Sequence, residues 1–354
     1  MSENLYRIIK INIYIFKKSL FTSILYFQDT NGTRECMKLP HHLEKYYLTT
    51  MYSLEFIFGF IGNVVVGLGS LFYWKTWKSG NIYLINLILS DLSFLCTLPW
   101  LVSTYSKGTD DNTWCQFNRT ILYFNLYTSI LFLTFISIDR YLLIKHPFRN
   151  HFLQKRATAI VFSVAIWIWI ILELSPIYYF ITSHKNSNSS KCLDYGSSGD
   201  ALHSLIYSLI LTVTGFIIPL CIMWVFYIKT HALLINHSLQ FTTALPLEKP
   251  LVLIIMAVSI FSLLFAPYHI MRNVRIASRV SLLWNPSTCT ENLIKAVYTI
   301  TRPIAFLNSV INPIFYFLMG DQFRETLVIN VRHFLKRILP FLCGASATSF
   351  FRKT

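Results

Sequence analysis

The sequence predicts an all-α integral membrane protein: a seven-transmembrane helix bundle with an amphipathic cytoplasmic helix after the seventh span. Three observations predict it. Of 354 residues, 54% are hydrophobic and only 13% are charged, against roughly 25% charged in an ordinary soluble domain, so the chain lacks the polar surface that water requires. Seven apolar segments each reach the about 20 residues that a helix needs to cross a hydrocarbon core. Basic residues cluster in alternate connections, the distribution that sets orientation in a bilayer.

The segments run from Tyr46 to Tyr73, Ile82 to Tyr105, Trp114 to Ile144, Ala157 to Phe180, Leu202 to Ile228, Pro250 to Ala277 and Leu293 to Phe317. An odd number of crossings puts the termini on opposite sides. The connections after the first, third and fifth spans and the tail carry Lys75, Lys145, Arg156, Lys229, Arg324 and Arg332 among others, so they are cytoplasmic and the N-terminus is outside. The sequons at Asn31 and Asn188 then face outward as glycosylation sites. The chain divides into an extracellular N-terminal segment (1–45), the bundle (46–317) and an amphipathic helix with a cytoplasmic tail (318–354). In the last part Phe323, Leu327, Val331 and Phe334 repeat at helical spacing between basic residues, the pattern of a helix lying on a membrane surface. The apolar runs are too long for the strands of an outer-membrane barrel, and no internal repeat of the transporter kind is visible.

The formal net charge is +15, which by itself allows nucleic acid, anionic lipid or an anionic ligand. Its placement decides. Much of it lies in the cytoplasmic connections and tail, where it meets membrane lipid, and no nucleic acid partner is expected. Of seven cysteines, Cys96 and Cys221 lie within spans, where a buried apolar side chain is expected. Cys36, Cys115, Cys192 and Cys289 fall on the oxidising side, so two disulfides are expected in one of three connectivities.

Polar groups at membrane depth are costly and mark function. Asp91 lies mid-way along the second span with no basic partner nearby in sequence and reads as a sodium or proton site. Asn63, Ser129, Asn308 and Asn312 lie at similar depth, where hydrogen bonding between helices accounts for the asparagines equally well. Asp139-Arg140-Tyr141 stands 24 residues after Cys115, about 36 Å of helix, so Arg140 emerges on the cytoplasmic side. Pro99, Pro176, Pro219, Pro267, Pro303 and Pro313 interrupt five spans, and each removes a helix hydrogen bond at a point where the bundle can bend.

Toward the other end, Arg119, Arg272 and Arg302 lie deep on the third, sixth and seventh spans, with Tyr123 one turn from Arg119. Arg275 and Arg279 read as solvated helix ends. Three converging guanidiniums repel unless an anion joins them, and Asp194, two residues after Cys192, is the candidate counter-ion. Planar bidentate donors suit carboxylate or phosphate, so the residues point to an outward-facing pocket for a small dianion. No phosphate loop, metalloprotease motif, nucleophile elbow or Cys-x-x-Cys is present, and neither enzyme activity nor a cofactor is expected.

Taken together, the seven spans, Asn63, Leu87 with Asp91, Asp139-Arg140-Tyr141, Pro219, Phe261 with Pro267, and Asn312-Pro313-Ile314-Phe315-Tyr316 resemble the class A, or rhodopsin-like, G-protein-coupled receptors. The resemblance covers about Leu43 to Arg337. The stretches from Asn125 to Arg149, Thr243 to Arg279 and Thr301 to Phe317 are similar to the branch that recognises succinate, 2-oxoglutarate and nucleotides. The resemblance implies a plasma-membrane receptor for extracellular succinate or a similar small dianion, with heterotrimeric G proteins of the inhibitory and Gq types, arrestin and receptor kinases as partners. It implies ligand binding by Arg119, Arg272 and Arg302, with Tyr52, Tyr105 and Tyr123 lining the pocket and Asp194 over it. It implies disulfides Cys115 to Cys192 and Cys36 to Cys289. It also implies a sodium site at Asp91, Ser129, Asn308 and Asn312, and a switch made by Asp139, Arg140, Tyr141, Phe265, Pro267, Pro313 and Tyr316. Two positions depart from the usual pattern: Phe265 replaces the Trp of most rhodopsin-like receptors, and Tyr123 stands where succinate and 2-oxoglutarate receptors usually carry His.

Overall fold

In a computed structural model, the described residues are 39–73, 77–107, 112–145, 151–182, 194–197, 200–240, 254–255, 257–259, 261–280 and 287–319, and they contain helices and turns but no strand. The first span enters through a π-helical turn, Leu43–Leu48, and continues as Thr49–Tyr73. Leu48, Tyr52, Glu55, Gly59, Asn63, Val66 and Ser70 are buried, a stripe repeating every three or four residues that faces the bundle. Leu54, Ile57, Phe58, Ile61, Leu68 and Leu71 are exposed between them. Polar groups inside and large apolar groups outside are the arrangement a hydrocarbon solvent selects, because the backbone and polar side chains must be satisfied within the protein.

The second span is Ser79–Leu95 followed by Leu98–Lys107, broken at Cys96 and Thr97 just before Pro99. The third, Asn112–Lys145, is unbroken and the most buried. It packs against the second, the fourth (Arg156–Thr182) and the second part of the fifth, and is the axis of the bundle. Trp167 donates from Nε1 to Asn86 Oδ1 at 2.8 Å, tying the fourth span to the second. The ring closes as the fifth span meets the sixth, the sixth the seventh, and the seventh the first. At that closure, a Cβ at Gly62 would lie 3.0 Å from Pro313 Cγ, so glycine lets the two helices approach.

Prolines explain two irregularities. The fifth span runs Ala201–Thr212, then a π-turn Val213–Ile217, then Ile218–Gln240, and Pro219 stands two residues past the π-turn. The sixth has a π-turn at Phe261–Phe265 immediately before Ala266–Ala277, with Pro267 near its start. Proline removes the N–H that closes an ordinary turn, and the backbone widens locally. The seventh span, Thr288–Phe306 and Asn308–Met319, breaks at Leu307 between Pro303 and Pro313.

Five helices among the described residues are long and apolar enough to cross a membrane by composition alone. The described residues of the expected sixth span begin at Ile254, and the seventh carries Lys295 and Arg302 in its first part. The fifth helix continues to Gln240, past the apolar segment that ends at Ile228. Cys96 and Cys221 are free, as expected, but exposed rather than buried, because the small apolar thiol can face lipid as well as core. The expected tail helix, Asn31, Cys36, Asn188 and Cys192 lie outside the described residues, as do the side chains of Cys115 and Tyr316. Cys289 is disulfide-bonded.

Asn63 donates to the carbonyl of Gly59 at 2.9 Å and to that of Ser309 at 2.8 Å, joining the first and seventh spans. Asn63→Ala is expected to destabilise the bundle by about 1 kcal/mol, read as a lower thermal midpoint of the detergent-solubilised protein.

Candidate ligand-binding site

At the end of the bundle opposite Arg140, residues of the third and seventh spans converge on Asp194, which lies on the connection between the fourth and fifth spans. Arg119, Arg302 and Asp194 are all buried. Asp194 Oδ1 lies 3.9 Å from Arg119 Nη1 and 3.8 Å from Arg302 Nη2, and Tyr123 donates its hydroxyl to the same oxygen at 3.1 Å. Tyr298 donates to Oδ2. The loop is fixed around this carboxylate by a 3₁₀ turn, Tyr195–Ser197, by the Tyr195 hydroxyl donating to the Ser204 carbonyl at 2.5 Å, and by Gly196, where a Cβ would lie 3.1 Å from the Tyr298 ring.

Both ion-pair distances exceed hydrogen-bond length, so Asp194 balances the arginine charges without consuming their donors. Arg119 Nε and Nη1 have no hydrogen-bond partner among the described residues. Arg302 donates from Nη2 to the Tyr105 hydroxyl at 2.9 Å, and the Arg119 guanidinium lies 5.4 Å from the Tyr105 ring centre. Tyr52 lies 6.2 Å from Tyr105, fully buried, with its hydroxyl unpartnered among the described residues. Burial alone raises the Asp194 carboxyl, but Arg302 and Arg119, with the two phenol hydrogen bonds, outweigh it and hold the group below the usual carboxylate range.

The structure separates Arg272 from the other two. Its Nε donates to Ser208 Oγ at 3.0 Å, Nη1 to the Tyr127 hydroxyl at 2.6 Å, and Nη2 to Thr212 Oγ1 at 3.0 Å and the Ser208 carbonyl at 3.3 Å. The Tyr268 ring centre is 5.6 Å from the guanidinium, and Tyr268 in turn stacks on Tyr298 at 6.0 Å. Arg272 is thus fully buried and held by neutral groups of the third and fifth spans, with no carboxylate in contact among the described residues. The expected convergence of three arginines on one anion is instead two poles, Arg119 with Arg302 at Asp194 and Arg272 beyond a wall of tyrosines. At the rim Arg275 pairs with Glu291 at 2.9 Å, and Arg279 Nη1 donates to the Gly196 carbonyl at 3.4 Å.

Mid-bundle, Asp91 Oδ1 accepts from Asn125 at 2.9 Å, Ser309 at 2.8 Å and Ser129 at 3.5 Å, and Oδ2 accepts from Asn312 at 2.8 Å. Asn308 makes no bond to Asp91, and its Oδ1 and Nδ2, like Asn312 Oδ1, have no partner among the described residues. These hard oxygen atoms around a buried carboxylate fit a sodium ion with water. At the Arg140 end, Arg140 Nη2 is 3.6 Å from Asp139 Oδ2, and Ser79 donates to Asp139. Tyr141 packs against Phe226 at 5.1 Å, and Phe265 meets Phe261 edge-on at 5.3 Å.

Sequence reasoning missed Tyr298, Tyr268, Tyr127, Asn125, Ser309 and Ser79. Some had a signal: Tyr298 is one turn from Arg302, and Asn125 one turn from Ser129, each pair on one face. Ser208 and Thr212 had none, since hydroxyls in an apolar helix ordinarily bond their own backbone.

Asp194→Asn leaves two buried guanidiniums without a counter-ion, which is expected to cost about 3 kcal/mol. Because the folded carboxyl is held low, its contribution is in place above the unfolded value near 3.9 and is lost only as pH falls through the lower folded value. The gap in thermal midpoint between parent and variant is therefore constant from about pH 5 to 8 and closes only below about pH 4.

Residues 62–316 match the family model for the 7 transmembrane receptor (rhodopsin family). The chain is 56% identical to Succinate receptor 1 of Mus musculus over 301 residues, 84% of this chain and 94% of that protein. It is 53% identical to Succinate receptor 1 of Rattus norvegicus over 307 residues, 86% of this chain and 96% of that protein. Against 2-oxoglutarate receptor 1 of Rattus norvegicus the identity is 36% over 289 residues, 81% of this chain and 84% of that protein. With the family model running from within the first span to near the end of the seventh, and with Asp91, Asp139, Arg140 and the proline-bent spans in place, the chain belongs to the rhodopsin family of seven-transmembrane receptors.

Proposed function

We propose that this receptor lies in the plasma membrane with its N-terminus outside and responds to extracellular succinate. The observation that carries the reading is that a carboxylate, that of Asp194, lies between Arg119 and Arg302 with two phenol donors. A site that holds its own carboxylate in this way has the chemistry to hold a ligand's. The free donors of Arg119, with Arg302 beside them, take one carboxylate of the ligand, and Arg272, with no acid in contact among the described residues, takes the other. Tyr52 and Tyr105 line the Arg119 and Arg302 end, and Tyr123 stands beside Asp194 on the side toward Arg272. Names of the relatives support succinate ahead of 2-oxoglutarate, whose receptor is a more distant match.

Bridging the third span to the sixth and seventh favours the packing in which the outer ends of these helices are closer. A shift from 1:99 to 99:1 takes about 5.5 kcal/mol of differential affinity, and two or three charge-assisted hydrogen bonds at roughly 1.5 to 3 kcal/mol each reach it. The bends at Pro219, Pro267 and Pro313 are where the change is absorbed, with Phe265 and Tyr316 on the path. Arg140 leaves Asp139 and meets a heterotrimeric G protein of the inhibitory or Gq type, and arrestin and receptor kinases act on the same cytoplasmic face. Lys145, Lys155, Arg156 and Lys229 cluster at that end, which supports placing it in the cytoplasm beside anionic lipid. Asp91, Ser129, Asn308 and Asn312 would hold a sodium ion, which supplies positive charge to a buried carboxylate. Disulfides Cys115 to Cys192 and Cys36 to Cys289 would tie the outer loops, and Asn31 and Asn188 would carry glycans.

In transfected cells, calcium and cyclic-AMP responses to succinate, 2-oxoglutarate and nucleotides test the assignment: a response to succinate at the lowest concentration is expected, and a response to nucleotides alone would overturn it. Arg302→Ala is expected to lose the response, a shift of a hundredfold or more, while surface expression measured by antibody persists. Radiolabelled succinate should not accumulate in these cells, as it would for a transporter.

A further inference from the structure

Ser208 and Thr212 hold Arg272 from the fifth span, and Tyr127 ties it to the third. Tyr127 accepts the arginine's hydrogen bond at 2.6 Å and places its ring centre 5.9 Å from the guanidinium. That ring is fully buried. Gly215 lies against it: a Cβ there would stand 2.5 Å from Tyr127 Cε1, well inside contact distance. Gly215 belongs to the π-turn Val213–Ile217, whose wider backbone brings it there, and the imidazole of His269 flanks the ring at 5.7 Å between centres. Tyr127 is therefore seated against the backbone at Gly215, and the place of its hydroxyl depends on that contact.

Along the same face of the third span stand Arg119, Tyr123 and Tyr127, each one turn from the next. The first two hold the Asp194 pole and the third holds Arg272. One rigid helix thus carries both anchor points, about 12 Å apart along its axis before the side chains reach inward. A ligand with an anion at each end is measured against that fixed separation.

We propose that Tyr127, seated on Gly215, is the positioning residue that sets the depth of Arg272 and thereby the length of dicarboxylate that the site accepts. This rests on the dicarboxylate reading above. Adding a methyl group at Gly215 displaces the ring and, through the hydroxyl, the guanidinium. Removing the hydroxyl takes away the hydrogen bond that ties Arg272 to the third span and leaves Ser208 and Thr212 of the fifth to set its position. Either change alters the separation of the two poles, and one methylene of mismatch is worth roughly 10- to 200-fold in discrimination.

The test uses the full-length receptor in transfected cells, with surface expression measured in parallel and concentration–response curves for malonate, succinate and glutarate, unbranched diacids differing by one methylene. In Gly215→Ala and Tyr127→Phe the potency ratio between adjacent chain lengths is expected to change by at least fivefold from the parent. A purely structural role would lower all three potencies together, and ratios within fivefold of the parent in both variants overturn the proposal. If Gly215→Ala does not reach the surface, Tyr127→Phe, which differs by one oxygen atom, decides alone. A parent receptor that answers none of the three diacids would instead refute the dicarboxylate reading.

Discussion

The pairing of Asp194 with Arg119 and Arg302 is the interaction on which the architecture at that end of the bundle depends. Two buried guanidiniums on the third and seventh spans repel each other strongly where water is scarce, and such charges persist only when paired. The carboxylate that pairs them is delivered by a loop, so the loop must be brought down onto the helices. Gly196 against Tyr298, the Tyr195 hydroxyl on Ser204, and Arg279 reaching the Gly196 carbonyl all follow from that requirement. The distances of 3.8 and 3.9 Å balance charge while leaving donors open, which is why the same feature that stabilises the bundle also resembles a recognition site.

Arg272 obeys a different rule. Its charge is spread over three hydroxyls, a carbonyl and the faces of two tyrosines. Those groups satisfy hydrogen bonds without cancelling the charge. Beneath Arg272, Tyr127, His269, Phe216, Phe261 and Phe265 form a continuous set of aromatic contacts. Phe216 stacks on Phe261 at 5.7 Å, and the two residues sit in the facing π-turns of the fifth and sixth spans. Both turns precede a proline, so the backbone is least constrained by its own hydrogen bonds where the packing of these two helices meets.

Polar side chains in the middle of the bundle serve each other before they serve a ligand. Asp91 collects four donors from the third and seventh spans, and Asn63 adds the first. Removing any one leaves a buried group unsatisfied, so the set acts as a unit. Its unpartnered oxygens on Asn308 and Asn312 are the part that hydrogen bonding between helices leaves over.

Composition, apolar segment length and the alternation of basic connections determined that the chain crosses a membrane as helices, because a bilayer admits few other solutions. Depth along each helix was equally readable, since a fixed rise of 1.5 Å per residue converts position into height: Arg119 and Tyr123 at one end, Asp91 mid-way, Arg140 at the other. Partnership was not. Helical spacing tells which residues share a face but not which neighbouring helix that face meets or how far a flexible side chain swings. Only the packed bundle decided that Arg302 joins Arg119 at Asp194 while Arg272 turns to Tyr127, Ser208 and Thr212, that Asn125 and Ser309 rather than Asn308 bond Asp91, and that Cys96 faces outward. The physical reason is the same in each case: an arginine or a hydroxyl goes wherever the burial of its neighbours leaves the best unpaired partner, and that is settled by three helices at once.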